Sequence, residues 1–254
     1  MTLALLVSYD GTGVSGWQVQ ANAESVQSLL ERAVFSAFGE KRRVAASGRT
    51  DAGVHAAGQV CSLVLDNKNV APERVADALN RYLPAHIRVL RSAEAPEKFD
   101  ACRMAVLKTY RYRFYVSERE NPLKDRYAVQ LKRLPDPEKM REAAALIAGE
   151  HDFKCFCASG SSAKSTLREV VSVKIECGES LGSADVILDV CGKGFLYNMV
   201  RIIAGTLVSV GYGLLKKEEI ERAFASGDRS LLGKTMPAKG LTLLNVEYPF
   251  PLFS

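Results

Sequence analysis

Three segments of the chain carry residue types that could do chemistry. In Ala46-Ser47-Gly48-Arg49-Thr50-Asp51-Ala52-Gly53-Val54-His55-Ala56, small residues and glycines crowd an arginine, an aspartate and a histidine into a loop between strand-like segments. A loop aspartate most often forms a turn or caps a helix. Here Arg49, Asp51 and His55 sit where backbone and carboxylate can approach a ligand closely, and loops of this kind often carry function. On residue types alone the stretch points to carboxylate chemistry and no further. In Lys108-Thr109-Tyr110-Arg111-Tyr112-Arg113-Phe114-Tyr115, cations alternate with aromatics. On a strand, Tyr110, Tyr112 and Phe114 share one face while Arg111, Arg113 and Tyr115 share the other. Two readings stand: an aromatic core face opposite a wet basic one, or a platform that stacks a base beside phosphate-binding cations.

The third segment, Gly11-Thr12-Gly13-Val14-Ser15-Gly16, fits G-x-G-x-x-G after a predicted strand. In a dinucleotide site the helix has begun by the third glycine, so that its amides meet the pyrophosphate. Here Trp17 to Asn22 intervenes, and helical periodicity starts only near Ser25. The next strand-like stretch ends in Ser47-Gly48-Arg49, without an acid for a ribose hydroxyl. A tight, glycine-permitted loop is the better account, and no nucleotide cofactor is expected. The six cysteines form no C-x-x-C, so metal spacing is absent. The N-terminus, MTLALLVSYDG, has no basic n-region and reads as a strand. A reducing, cytoplasmic compartment fits this cysteine usage.

The elements that must position these segments follow from periodicity. Leu3–Tyr9 reads as a strand, and Ser25–Phe38 as a helix stopped by Gly39. Arg43–Ala46 and Gln59–Leu65 read as strands, Pro72–Leu83 as a helix and Ile87–Ala93 as a strand. The second half repeats the order: strand Met104–Val116, helix Pro137–Ala148, strands Leu167–Cys177 and Ala184–Val190, helix Phe195–Val210, an inserted helix near Glu218–Ala225, and strand Leu241–Tyr248. Two successive β-α-β-β-α-β units predict an α+β protein of two ferredoxin-like halves, 1–100 and 101–254. The halves would share a mainly antiparallel sheet, with a basic active-site cleft between them.

A hydrophobic fraction of 47% and a charged fraction of 25% over 254 residues argue for a folded chain and against disorder or fibres. The longest uncharged stretch, Ile202–Leu215, is too short to span a bilayer, so no membrane is expected. A net charge of +5 permits a polyanionic partner without demanding one. The cations do cluster, at Lys41-Arg42-Arg43, at Lys108 with Arg111 and Arg113, at Lys132-Arg133 and at Lys216-Lys217.

Taken in order, the segments resemble the TruA family of tRNA pseudouridine synthases. The resemblance rests on Tyr9-Asp10-Gly11-Thr12 with Gly16-Trp17-Gln18-Val19-Gln20, on Ser47 to Ala56, and on Lys108-Thr109-Tyr110-Arg111-Tyr112. It continues through Gly149-Glu150-His151-Asp152-Phe153, Gly194 to Arg201 with Gly205-Thr206-Leu207, and Pro237-Ala238-Lys239-Gly240-Leu241. Val14 departs from it, standing where the family has an aromatic.

The resemblance implies isomerisation of uridine to pseudouridine in the anticodon stem-loop of tRNA, at tRNA positions 38, 39 and 40, with the target base flipped out. No atom enters or leaves, so neither cofactor nor catalytic metal is implied. Asp51 would be the nucleophile, Tyr110 would stack on the uracil, and Arg201 would pair with the carboxylate. An arginine amid Met199, Val200, Ile202 and Ile203 would be costly without a partner. Arg49 would enter the space the base vacates, with His55 and Arg111 as further substrate contacts. The family also implies a homodimer. The competing expectations are a non-catalytic RNA-binding module and a nucleotide-dependent oxidoreductase built on Gly11–Gly16.

Overall fold

The computed structural model describes residues 1–67 and 69–253. In chain order its elements are β1 (Thr2–Tyr9), α1 (Val26–Phe38), β2 (Ala45–Ala46), β3 (His55–Val64), α2 (Val75–Asn80), β4 (Ile87–Glu94), β5 (Leu107–Val116), β6 (Val129–Leu131), α3 (Pro137–Ile147), β7 (Gly149–Asp152), β8 (Leu167–Ser180), β9 (Ser183–Gly192), α4 (Met199–Gly211), α5 (Lys217–Ser226) and β10 (Leu241–Glu247). The fold is α+β, and most of its strand pairings are antiparallel. No helix of the described residues is long and apolar enough to cross a membrane.

The chain divides into two compact units. One holds Met1–Leu107 with Thr242–Ser254, the other Lys108–Leu241. The C-terminal thirteen or so residues thus group with the first unit, not with the half that precedes them in sequence. The cause is pairing: β10 runs parallel to the start of β3, with Thr242 opposite His55 and Leu243 opposite Ala56.

In the first unit β1 lies between β3 and β4, antiparallel to both, and β2 adds to the far side of β3. This is the split β-α-β order of a ferredoxin-like unit. Along β1 the side chains alternate. Leu3, Leu5 and Val7 are fully buried on one face. On the other, Ala4 and Leu6 pack with Val60, Phe99, Ala101 and the C-terminal residues Tyr248, Phe250 and Leu252. Burial at this level stabilises by ~1.5–3 kcal/mol for each large apolar side chain. Helix α1 starts where the Ser25 side chain accepts the Ser28 N–H, and ends at Gly39 in the left-handed region.

In the second unit β5 pairs with β9, β9 with β8 and β8 with β7, all antiparallel, and short β6 runs parallel to the end of β5. Helix α3 is capped by Asp136, whose carboxylate accepts the Glu138 and Lys139 amides, and it buries Met140, Ala143, Ala144 and Ile147. Helix α4 is buried almost all round, with Arg201 and Ser209 its half-exposed residues.

Two elements differ from expectation in ways that matter for the site. Strand β3 begins at His55, so His55 opens a strand and does not belong to the loop. Helix α4 begins at Met199 and not at Phe195, because Asn198 takes a left-handed backbone (φ 60°) that ends the preceding turn. Arg201 therefore lies in the first turn.

Candidate active site

Asp51 sits half-buried in the middle of the loop that joins β2 to β3. The segment after β1 holds this loop on both sides. On the upstream side the Trp17 N–H donates to the Thr50 carbonyl at 3.0 Å, and the Tyr9 hydroxyl meets the Thr50 hydroxyl at 2.8 Å. On the downstream side the Gly11 N–H donates to Nδ1 of buried His55 at 3.1 Å. The Asp10 carboxylate lies 3.1 Å from that same nitrogen. With a proton on Nδ1 the imidazole serves Asp10, and with a lone pair there it serves Gly11; both hold it to the end of β1. Within the loop the Val54 N–H returns to the Asp51 carbonyl at 3.1 Å. At its start, the Ser47 hydroxyl and the Gly48 carbonyl are both bound by the buried Gln59 amide.

The glycine-rich segment explains how the two backbones come so close. A Cβ on Gly11 would stand 2.1 Å from the Val54 carbonyl oxygen, and one on Gly16 would stand 2.7 Å from that of Thr50. Gly16 also has φ +78°, which disfavours any side chain. The role of Gly11–Gly16 is therefore to cradle the Asp51 loop. The expected tight loop is what the chain forms, and its contact partner is protein backbone some forty residues away.

Arg49 is exposed, two residues before Asp51, and takes no ion pair among the described residues. His55 is 3% exposed, its ring committed to Asp10 and Gly11.

In the second unit, Tyr110 is 8% exposed and meets the Phe195 ring edge-on, with centroids 5.2 Å apart. Tyr112 and Phe114, on the same face of β5, are buried, so this face is largely core. Arg111, on the opposite face, forms a two-pronged pair with Asp189 across the strand from it, at 2.8 and 2.7 Å. That pair holds the Arg111 guanidinium above its ordinary ionisation range, chiefly through the Asp189 hydrogen bond. Arg201 donates from Nε to the Met236 carbonyl at 2.7 Å and from Nη1 to the Asn198 side-chain oxygen at 2.5 Å. Among the described residues no group of three or more His, Cys, Asp or Glu stands as metal ligands.

The family model described as tRNA pseudouridine synthase matches residues 5–103 and 143–249. The chain belongs to this family. Similar curated proteins, each called tRNA pseudouridine synthase A, include one from Syntrophotalea carbinolica, 44% identical over 96% of this chain and 95% of the relative. Others come from Geotalea uraniireducens (42%; 97% and 99%) and Acetivibrio thermocellus (41%; 96% and 98%). The stretches shared with the pseudouridine synthase model contain Arg49, Asp51, His55 and Arg201; Tyr110 and Arg111 fall between them.

Sequence reasoning missed two contributors. Met236 touches Arg201 through its backbone alone, which no side-chain pattern signals. Lys124, 7% exposed, binds Asp185 and Ser183. Asp125 beside it accepts from Lys239 at 2.6 Å and from the Tyr115 hydroxyl at 3.1 Å, tying the loop after β5 to the Pro237–Leu241 segment. A Lys-Asp pair in a polar loop resembles any solvated turn. The Gly149–Phe153 segment proves structural: His151 stacks on Phe224 at 4.5 Å, and Asp152 caps the following turn.

Proposed function

We propose that this chain isomerises uridine to pseudouridine in tRNA, at positions 38, 39 and 40 of the anticodon stem-loop, with Asp51 as nucleophile. The observation that carries the reading is the Asp51 loop itself, half-buried and held by backbone contacts on both flanks. A carboxylate so placed is partly stripped of water while its position is fixed, which suits it to attack. Arg201 serves as its counter-ion: a guanidinium stays charged at any working pH. Tyr110 stacks on the uracil, an interaction worth ~1–3 kcal/mol per base. Exposed Arg49 fills the space left when the base leaves the stem, a step that costs a few kcal/mol.

In the reaction the N1–C1′ glycosidic bond breaks, the uracil rotates, C5 bonds to C1′ and loses its proton, and N1 takes up a proton, so atoms balance without a co-reactant. His55 and Arg111 support this site indirectly. His55 holds the Asp51 loop, and Arg111, bound by Asp189, keeps Tyr110 in register on β5. The proposal includes a cytoplasmic homodimer as the working form.

The test is to incubate metal-free protein with uridine-containing anticodon stem-loop RNA and map pseudouridine in the product. The wild type should form it. Asp51→Ala should form none while binding the RNA within about threefold of wild type, since the carboxylate reacts and does not grip. Wild-type turnover by Asp51→Ala, or no product from the wild type, would falsify the reading.

A further inference from the structure

We propose that Tyr112 is a positioning residue for Arg201, acting through the Met236–Pro237 segment; this rests on the counter-ion reading of Arg201. Tyr112 is fully buried, and its hydroxyl donates to the Pro237 carbonyl, so it does not touch RNA. Its neighbour in the chain of contacts is Met236. The Met236 carbonyl accepts from Arg201 Nε at 2.7 Å, and the Met236 N–H donates back to the Arg201 carbonyl at 3.2 Å. Two successive carbonyls thus reach opposite ways, one to the guanidinium and one to the phenol. The proline ring between them fixes φ (−55°), so ψ of Pro237 is the one soft backbone torsion separating the two carbonyls.

The segment is also pressed into place from both sides. A Cβ on Gly240 would fall 2.5 Å from the Tyr112 ring, and one on Gly205 of α4 would fall 1.9 Å from the Lys234 carbonyl oxygen. The Gly233 N–H, next to Lys234, donates to the buried Thr206 hydroxyl at 3.1 Å. Burial pushes the Tyr112 hydroxyl's ionisation up, so it remains a donor throughout the working range. Nothing else about a tyrosine two residues from Tyr110 on a core face requires its hydroxyl; the carbonyl it holds does.

A double-mutant cycle on pseudouridine formation tests this. Tyr112→Phe keeps the ring and removes only the donor. It should lower kcat by on the order of tenfold and leave KM for the RNA within about twofold. Gly205→Ala should lower kcat further, by on the order of 10²-fold. In an Arg201→Lys background each should add less than about twofold, because the group they position is already changed. A merely structural role would multiply through in both backgrounds. Full multiplication, or Tyr112→Phe with wild-type kcat, overturns the proposal alone. Arg201→Lys with wild-type kcat overturns the reading of Arg201 and the proposal with it. If Gly205→Ala does not fold, Tyr112→Phe carries the cycle by itself.

Discussion

The Asp51 loop and the Arg201 turn are built on one device and use it differently. In each, a backbone carbonyl lies where a Cβ on a facing glycine would sit: Val54 against Gly11 in the first unit, Lys234 against Gly205 in the second. In the first unit the ties at Thr50, Val54 and His55 hold the backbone and the neighbours of Asp51. In the second they end on the functional atoms, with Met236 and Asn198 taking Nε and Nη1 of Arg201. The distinction fits the two proposed roles. For Asp51 as the proposed nucleophile, a fixed backbone frame presents the residue at a set place. For Arg201 as the proposed counter-ion, hydrogen bonds on the guanidinium itself keep the charge in place.

The sharpest way to break this comparison is to remove the guanidinium. Arg201→Ala should lower kcat by ~10²–10³-fold, the scale seen when one charge-stabilising donor is lost. An effect confined to KM would mean that Arg201 grips RNA and does not serve the carboxylate. Next in size are the glycines. Gly11→Ala adds one methyl at ordinary φ, so only the clash with Val54 acts. It should cost ~1–3 kcal/mol of stability in urea unfolding and reduce kcat on the order of 10²-fold. Equal stability loss with unchanged kcat per folded molecule would show that the Asp51 loop tolerates displacement. His55→Ala comes third. It leaves the Asp10 carboxylate and the Gly11 amide without their buried partner, at ~1–3 kcal/mol. Its kcat should fall less than that of Gly11→Ala, because the Thr50 ties remain; the reverse order would move the weight of the clamp onto the histidine.

What the sequence made legible was whatever is encoded locally. Helix α1 came out with its Gly39 stop because the apolar spacing and that stop lie within fifteen residues of one another, while the structure makes Ser25 the cap and not the first helical residue. The split β-α-β order of the first unit followed from such elements. Strand β7, Gly149–Asp152, was not legible: it is four mostly exposed residues with no alternation, and only its register against Leu167–Val170 makes it a strand. The site divides the same way. Asp51 stood out by its glycine-rich surroundings, whereas the purpose of Gly11 and Gly16 lay in a contact forty residues on. Arg201 stood out as a charge in an apolar helix, yet the atom that aims it is a backbone carbonyl, and every residue has one.

The smallest expected effect separates the Tyr112–Pro237 hydrogen bond from ordinary burial. Each unit holds a tyrosine whose hydroxyl donates to a carbonyl, half-buried Tyr248 to Ala101 in the first and buried Tyr112 to Pro237 in the second. Burial pushes both above the ordinary tyrosine value of 10. With the folded value raised, the unfolded chain loses its proton first. The neutral phenol's contribution is therefore whole below pH 10 and is lost as pH rises from there toward the folded value, at no more than ~1.4 kcal/mol per pH unit for each group. Urea unfolding between pH 9 and 11 should show a shallower decline for Tyr112→Phe than for wild type. Tyr248→Phe should flatten it less, because that side chain is only half-buried. Both variants thus share a stability signature, but Tyr248 packs against Phe99 and Phe250 in the apolar cluster of the first unit. Tyr248→Phe should keep wild-type kcat where Tyr112→Phe loses it. Equal losses of kcat in the two would reduce the Tyr112 hydroxyl to a general packing feature and leave Arg201 held by Met236 without help from β5.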